Sequence, residues 1–141
     1  MTQTSILFVE DDQDDILLFQ LACKRTGIAE SLNFFENGKR AVDFLKSKIQ
    51  AANPDRFLMF LDLNMPEMNG FEFLEWRRGV ANLRAMPVII LSTSENPQDI
   101  AKAYDLGANA YLVKSSTIAD LSGMLSAAHS FWIRHNRFVN L

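Results

Sequence analysis

The chain has 141 residues, 48% of them hydrophobic and 22% charged, with a formal net charge of -3. That is the size and composition of one globular domain with enough apolar material for a core, which excludes wholesale disorder. The longest uninterrupted apolar run is Phe57 to Leu61, far short of the roughly 20 residues that a transmembrane helix requires.

The N-terminus lacks a basic stretch followed by an apolar segment, and Cys23 is the one cysteine, so a cytoplasmic protein without disulfides is expected. Five of the 17 acids fall in one short window, Glu10, Asp11, Asp12, Asp14 and Asp15, and the rest of the chain holds 12 acids against 14 basic residues. The basic residues are scattered, with Lys24-Arg25, Lys39-Arg40 and Arg77-Arg78 the only doublets. No basic stripe marks a nucleic-acid partner. The concentrated acids need a reason.

Five bulky, β-favouring runs follow in order: Ser5 to Val9, Ser31 to Phe35, Phe57 to Leu61, Pro87 to Leu91 and Ala110 to Val113. Their starts are 26, 26, 30 and 23 residues apart, room for a helix and two loops each time. Most are continuously apolar, as in parallel strands covered on both faces. Between them, Asp12 to Thr26 has acids in its first turn and Lys24 and Arg25 in its last, the order the helix dipole favours. Helices are also predicted at Gly38 to Lys48 and Phe71 to Arg78. A fourth begins at Asn96-Pro97 and ends at Gly107. Thr117 with Asp120 caps the fifth, whose Ile118, Leu121, Leu125, Ala128 and Trp132 form one apolar stripe. Five βα units predict an α/β fold, a doubly wound parallel sheet with ligands at the carboxyl ends of its strands.

With strand order 2-1-3-4-5, the first and third strands are neighbours. Glu10, Asp11 and Asp12 at the end of one would then converge on Asp62 at the end of the other. Carboxylates so close repel unless a hard divalent cation neutralises them. Read alone, the acidic window is equally a set of helix-start acids. The fourth strand ends in Ser92-Thr93-Ser94 and the fifth in Lys114, so acid, acid, hydroxyl and amine occupy four strand ends. Such a set can hold a metal and a phosphoryl group on Asp62.

The series ILFVEDD, LMFLDLNMP followed by Gly70, VIILSTS and YLVKS resembles the receiver domain of two-component response regulators, from residue 5 to about 130. The resemblance implies a flavodoxin-like receiver fold across a single domain, residues 1–141, with a C-terminal extension from about 131. It implies that Asp62 accepts a phosphoryl group from a sensor histidine kinase, in a signalling protein with self-catalysed phosphorylation and dephosphorylation rather than an enzyme. It makes Glu10, Asp11, Asp62 and the Asn64 carbonyl the shell for Mg²⁺ (or Mn²⁺), Ser92 and Lys114 the phosphoryl contacts, and Asp12 a helix cap. Tyr111 matches the family's switch aromatic, swinging inward as the Ser92 hydroxyl moves; read alone, it is a plain strand aromatic. The output surface would be the fourth helix, fifth strand and fifth helix.

Lys114 is followed by Ser115 where most receivers have proline, leaving the peptide's isomer open. A fifth helix from Ile118 to about His135 would be roughly 27 Å long, against about 17 Å for a five-residue strand. A long C-terminal helix of this kind should overhang the sheet and strand Phe131, Trp132 and Phe138 beyond the core as interface residues. His129 and His135 would lie on its solvated surface. Lys-Ser, the Phe-Trp pair and the short tail resemble the small standalone response regulators of phytochrome-type kinases, which form homodimers. Rival readings are a metal-dependent phosphohydrolase with an aspartyl intermediate, which wants an acid where Asn64 stands, and a phosphorylation-independent adaptor.

Overall fold

The computed structural model describes residues 2–139; the last two residues of the C-terminal tail lie outside this range. The elements are β1 (Thr4–Val9), α1 (Gln13–Arg25), β2 (Ser31–Phe35), α2 (Gly38–Gln50), β3 (Arg56–Leu61), α3 (Gly70–Arg78), β4 (Val88–Ser92), α4 (Pro97–Asp105), β5 (Ala110–Val113) and α5 (Ile118–His129). A 3₁₀ turn, Ala81–Leu83, precedes β4, and a π-helical segment, Ser130–His135, follows α5. The strands form one parallel sheet in the order β2-β1-β3-β4-β5, as the sequence predicts.

Successive side chains of a strand point to opposite faces, so each continuous apolar run feeds two cores. Leu7, Val9, Met59, Leu61, Val88 and Ile90 meet α2, α3 and α4 through Ala41, Leu45, Phe73, Leu74 and Ala103. Ile6, Phe8, Leu58, Phe60, Ile89 and Leu91 meet α1 and α5 through Phe19, Ala22, Cys23, Leu121 and Leu125. Phe19 stacks on Phe8 at 4.2 Å between ring centres and meets Phe60 edge-on at 5.3 Å. Burial pushes the Cys23 thiol up to about 12, so it is packing material rather than a nucleophile.

The predicted caps are present. Asp12 Oδ1 accepts from the amides of Asp14 and Asp15, Asn96 Oδ1 from that of Gln98, and Thr117 Oγ1 from that of Asp120. Two caps went unread: Asn37 Oδ1 accepts from the Arg40 amide at the start of α2, and Asn69 and Glu72 exchange side-chain and backbone bonds in a capping box, which starts α3 at Gly70.

The C-terminus departs from expectation. The helix reaches His135 but is α-helical only to His129; beyond it the turns widen, with the Asn136 amide donating to the Phe131 carbonyl five residues back at 2.8 Å. This winding keeps Trp132 and Ile133 against the α1/α5 core, so Trp132 is half-buried rather than stranded. Phe131 alone of the pair is fully turned out, at 57% exposure, with its ring against Trp132 at 4.9 Å. Phe138 is half-buried. His129 is not on a solvated face either: its Nε2 lies 2.5 Å from Glu30 Oε1, tying α5 to the loop before β2.

Candidate phosphoryl-acceptor site

The sheet order brings the acids together. The amide of Glu10 continues the ladder to Phe35 O (2.9 Å) and that of Asp62 bonds to Val9 O (3.0 Å), so both side chains leave the same edge of adjacent strands. Glu10 is 1% exposed and Asp62 5%. Glu10 turns back over the start of α1, where its Oε2 accepts from the amides of Asp11 (3.0 Å) and Asp12 (3.2 Å). Asp11 is exposed at the rim. One carboxylate oxygen from each of Glu10, Asp11 and Asp62 lies within 4.8 Å of the other two, a donor set of hard oxygens suited to a divalent cation. Asn64 is exposed two residues beyond Asp62.

The loop after Asp62 is stitched down at two glycines. Gly70 N–H donates to Leu63 O at 3.0 Å, and a Cβ at Gly70 would collide with the Asp62 carbonyl. Gly38 N–H donates to Met68 O at 2.9 Å, and a Cβ there would press on Met68. These close approaches hold the backbone that carries Asp62.

From the other side, the amide of Lys114 bonds to Ser92 O at 2.7 Å, continuing the β4–β5 ladder past Val113. The Lys114 side chain reaches across to Glu10 Oε1 (2.5 Å), Asp15 Oδ2 (2.8 Å) and Asp62 Oδ1 (3.5 Å). Burial alone would lower its pKa, but hydrogen bonds to Asp15 and Glu10 and the charge of Asp62 outweigh it and raise it above the ordinary lysine range. Burial raises both acids. Glu10 goes up to about 7, with the Lys114 hydrogen bond pulling down and the charge of Asp62 pushing up; Asp62 is raised chiefly by desolvation. One ammonium does not neutralise this many carboxylates, and the remaining repulsion is what a cation would relieve.

The hydroxyl side is tightly arranged. Ser92 is fully buried at the end of β4, its Oγ accepting from the Ser94 amide at 3.2 Å. Ser94 Oγ donates to Asp99 Oδ2 at 2.6 Å, anchoring the β4–α4 loop to α4. Tyr111 is already inward: half-buried against the α2/α3/α4 core, its hydroxyl donating to Ser94 O at 2.8 Å. No cis peptide occurs among the described residues, so Lys114-Ser115 is trans.

Asp15 was not read from the sequence as part of the site. Its signal was its place in the same acidic window, in the first turn of α1 three residues after the Asp12 cap. The explanation of first-turn acids by the helix dipole concealed it.

A buried carboxylate beside two further acids and a lysine, at the carboxyl edge of a 2-1-3-4-5 sheet, is the architecture of a signalling receiver. The chain belongs to the response regulator receiver domain family, whose model matches residues 6–126. Among curated proteins it is similar to response regulator Rcp1 of Synechocystis sp. (strain ATCC 27184 / PCC 6803 / Kazusa), 36% identical over 91% of this chain and 88% of that protein. Among solved structures it is similar to the Mn²⁺-bound form of Rcp1, with 33% identity, TM-score 0.81 and coverage of 97% of this chain and 99% of that one. It is likewise similar to the phosphorylated cyanobacterial phytochrome response regulator RcpA, with 32% identity, TM-score 0.84 and coverage of 98% and 99%. Response regulators are signalling proteins that partner with sensor histidine kinases. Among the described residues no helix is long and apolar enough to cross a membrane.

Proposed function

We propose that this chain accepts a phosphoryl group on Asp62 from a phosphohistidine of a sensor histidine kinase and works in the cytoplasm as a standalone receiver. The observation that carries this is the Asp62 carboxylate, buried yet within reach of Lys114 and clustered with Glu10 and Asp11. An Asp62 oxygen attacks phosphorus, the P–N bond breaks, and the imidazole leaves with the electron pair and takes up a proton. Phosphoryl transfer needs positioning and charge neutralisation above all. Lys114 supplies an ammonium to the transferred oxygens and Ser92 a hydroxyl. Glu10, Asp11 and Asp62, with the Asn64 carbonyl, would hold Mg²⁺ or Mn²⁺, which when bound neutralises charge between the acceptor and the incoming group. The phosphohydrolase alternative gains nothing here, because Asn64 offers no general acid.

Incubation with acetyl phosphate and Mg²⁺, followed by intact-mass measurement, tests the reading. The expected result is one added phosphoryl group, labile in base and absent when EDTA is included. No mass gain under these conditions would overturn it.

The switch is Tyr111, which reports the β4–α4 loop through its bond to Ser94 O. Tyr111→Ala should take up phosphoryl groups at the wild-type rate yet lose the phosphorylation-dependent change in partner binding, measured by titration with the kinase; an unchanged response would exclude this route. For output we assign a homodimer through α4, β5, α5 and the segment after it. Three parts of this face expose a large apolar side chain: Tyr104 on α4, Val113 on β5 and Phe131 after α5. The expected result of sizing chromatography is a dimer that Phe131→Ser shifts toward the monomer. Identical elution of the two would refute the interface. The likeness to a cyanobacterial phytochrome response regulator supports a phytochrome-type kinase as the phosphoryl donor.

A further inference from the structure

Lys114 is the group that must meet the phosphoryl oxygens, yet it is closer to two other acids than to Asp62. Its Nζ lies 2.5 Å from Glu10 and 2.8 Å from Asp15, against 3.5 Å from Asp62. Asp15 is held in place to do this. Its amide is fixed by the Asp12 cap, and its side chain shares with Lys114 a crevice walled by Phe8, Leu18, Leu91 and Leu121. Those apolar walls strengthen the ion pair on the Lys114 side, where the side chain is 13% exposed, although Asp15 itself is 37% exposed.

Asp15 also differs from Glu10 in what can release it. Glu10 belongs to the set of acids whose oxygens gather closely enough to share a cation; Asp15 does not. A divalent ion can therefore neutralise Glu10 and weaken its hold on Lys114, but leaves the Asp15 contact intact. The phosphoryl group must then compete with Asp15 for the ammonium, and it does so as an anion facing the unneutralised Asp15 charge nearby.

We propose that Asp15 is a positioning residue that competes with the acceptor for Lys114 and so limits how tightly, and for how long, a phosphoryl group is clamped on Asp62. The inference rests on the receiver chemistry proposed above. Removing the Asp15 charge should favour the phosphorylated form, whereas a residue serving only to start α1 would change stability and nothing else.

The test measures beryllofluoride, a phosphoryl mimic, binding by calorimetry in saturating Mg²⁺ to the full chain as wild type, Asp15→Asn and Asp15→Glu, with Mg²⁺ affinity and thermal melting of each as controls. Asp15→Asn should bind beryllofluoride about fivefold more tightly, the scale of one partly exposed ion pair. Its aspartyl phosphate should live correspondingly longer, and Mg²⁺ affinity alone should change by much less. Asp15→Glu, which restores the charge, should return toward wild type. Wild-type binding with equal or weaker binding by Asp15→Asn would overturn the role of Asp15 while leaving the receiver chemistry standing. Failure of the wild type itself to bind the mimic would instead remove the acceptor chemistry on which the inference rests.

Discussion

Asp62→Asn is expected to take up no phosphoryl group from acetyl phosphate in Mg²⁺, its intact mass remaining that of the free chain while the wild type is labelled. The amide is nearly isosteric but lacks the carboxylate lone pair that attacks phosphorus, and it removes one of the clustered anionic oxygens. Neighbouring acids cannot replace it. Glu10 is committed to the amides of Asp11 and Asp12 and to Lys114, and Asp11 lies at the exposed rim. Base-labile label persisting on Asp62→Asn would remove Asp62 as the acceptor.

The same substitution should leave a signature in stability. The pKa of Glu10 is raised from 4.5 to about 7 in the fold, and that of Asp62 is raised as well, so the native state holds protons that the unfolded chain has released. A raised carboxyl costs nothing below its unfolded pKa, where both states are protonated. It costs progressively more as pH climbs through the interval to the folded value, and the full amount above it. The two carboxyls titrate as a pair, so the wild type should lose stability between about pH 4.5 and 7. Asp62→Asn removes one buried charge and its repulsion on Glu10. In EDTA it should melt above the wild type at pH 8, the gap should shrink toward pH 5, and Mg²⁺ should narrow it by stabilising the wild type. A constant gap across that range would contradict this account of the buried acids.

The strands were legible because parallel strands buried on both faces need unbroken apolar runs, and those runs stand apart from the amphipathic segments between them. Site acids at strand ends were legible for a related reason: once the order 2-1-3-4-5 is assumed, Glu10 and Asp62 must be neighbours, and the ladder bonds from Asp62 to Val9 and from Glu10 to Phe35 realise that placement. What stayed hidden had a competing local explanation. Asp15 sat among first-turn acids that the helix dipole already accounts for. Trp132 belonged to the correctly read stripe of α5, yet a simple length estimate sent it past the sheet; the π-helical winding depends on bonds five residues apart, which no 3.6-residue periodicity records. Tyr111 could be matched to a switch position, but its inward placement depends on the Ser94 carbonyl in a loop whose course is set by the Ser94–Asp99 bond.

Arg77 is the deepest of these omissions, and its loss should have the largest effect on stability. In sequence it is half of a basic doublet, the ordinary end of a helix. In the fold it is 3% exposed, and its guanidinium spends its donors on backbone carbonyls: Nε on Leu83 (3.1 Å), Nη1 on Gly107 (2.7 Å), and Nη2 on Met86 and Arg84. Nη2 also lies 3.4 Å from Asn109 Oδ1, which accepts from the Val88 amide at 2.8 Å. One side chain thus joins the segment between α3 and β4, the end of α4 and the approach to β5. Gly107 turns there with φ of +103°, a conformation that favours glycine, so its carbonyl is presented by the turn itself. No carboxylate among the described residues forms an ion pair with Arg77; burial lowers its pKa, and the carbonyl dipoles hold the charge. Arg77→Met keeps much of the volume but leaves several buried carbonyls unpaired, each costing about 1–3 kcal/mol. A loss of roughly 3–5 kcal/mol is expected, a large share of the 5–15 kcal/mol typical of a domain, read as a lowered midpoint in urea. Arg77→Lys should recover little, because an ammonium cannot reproduce the planar fork. These contacts cluster at the amino ends of β4 and β5, whereas Ser92 and Lys114 sit at the carboxyl ends. Arg77→Met should therefore still label at Asp62 at low temperature, where it remains folded. A midpoint shift below about 1 kcal/mol would show that water or neighbouring groups replace the guanidinium, and that it is not the tie between these three segments.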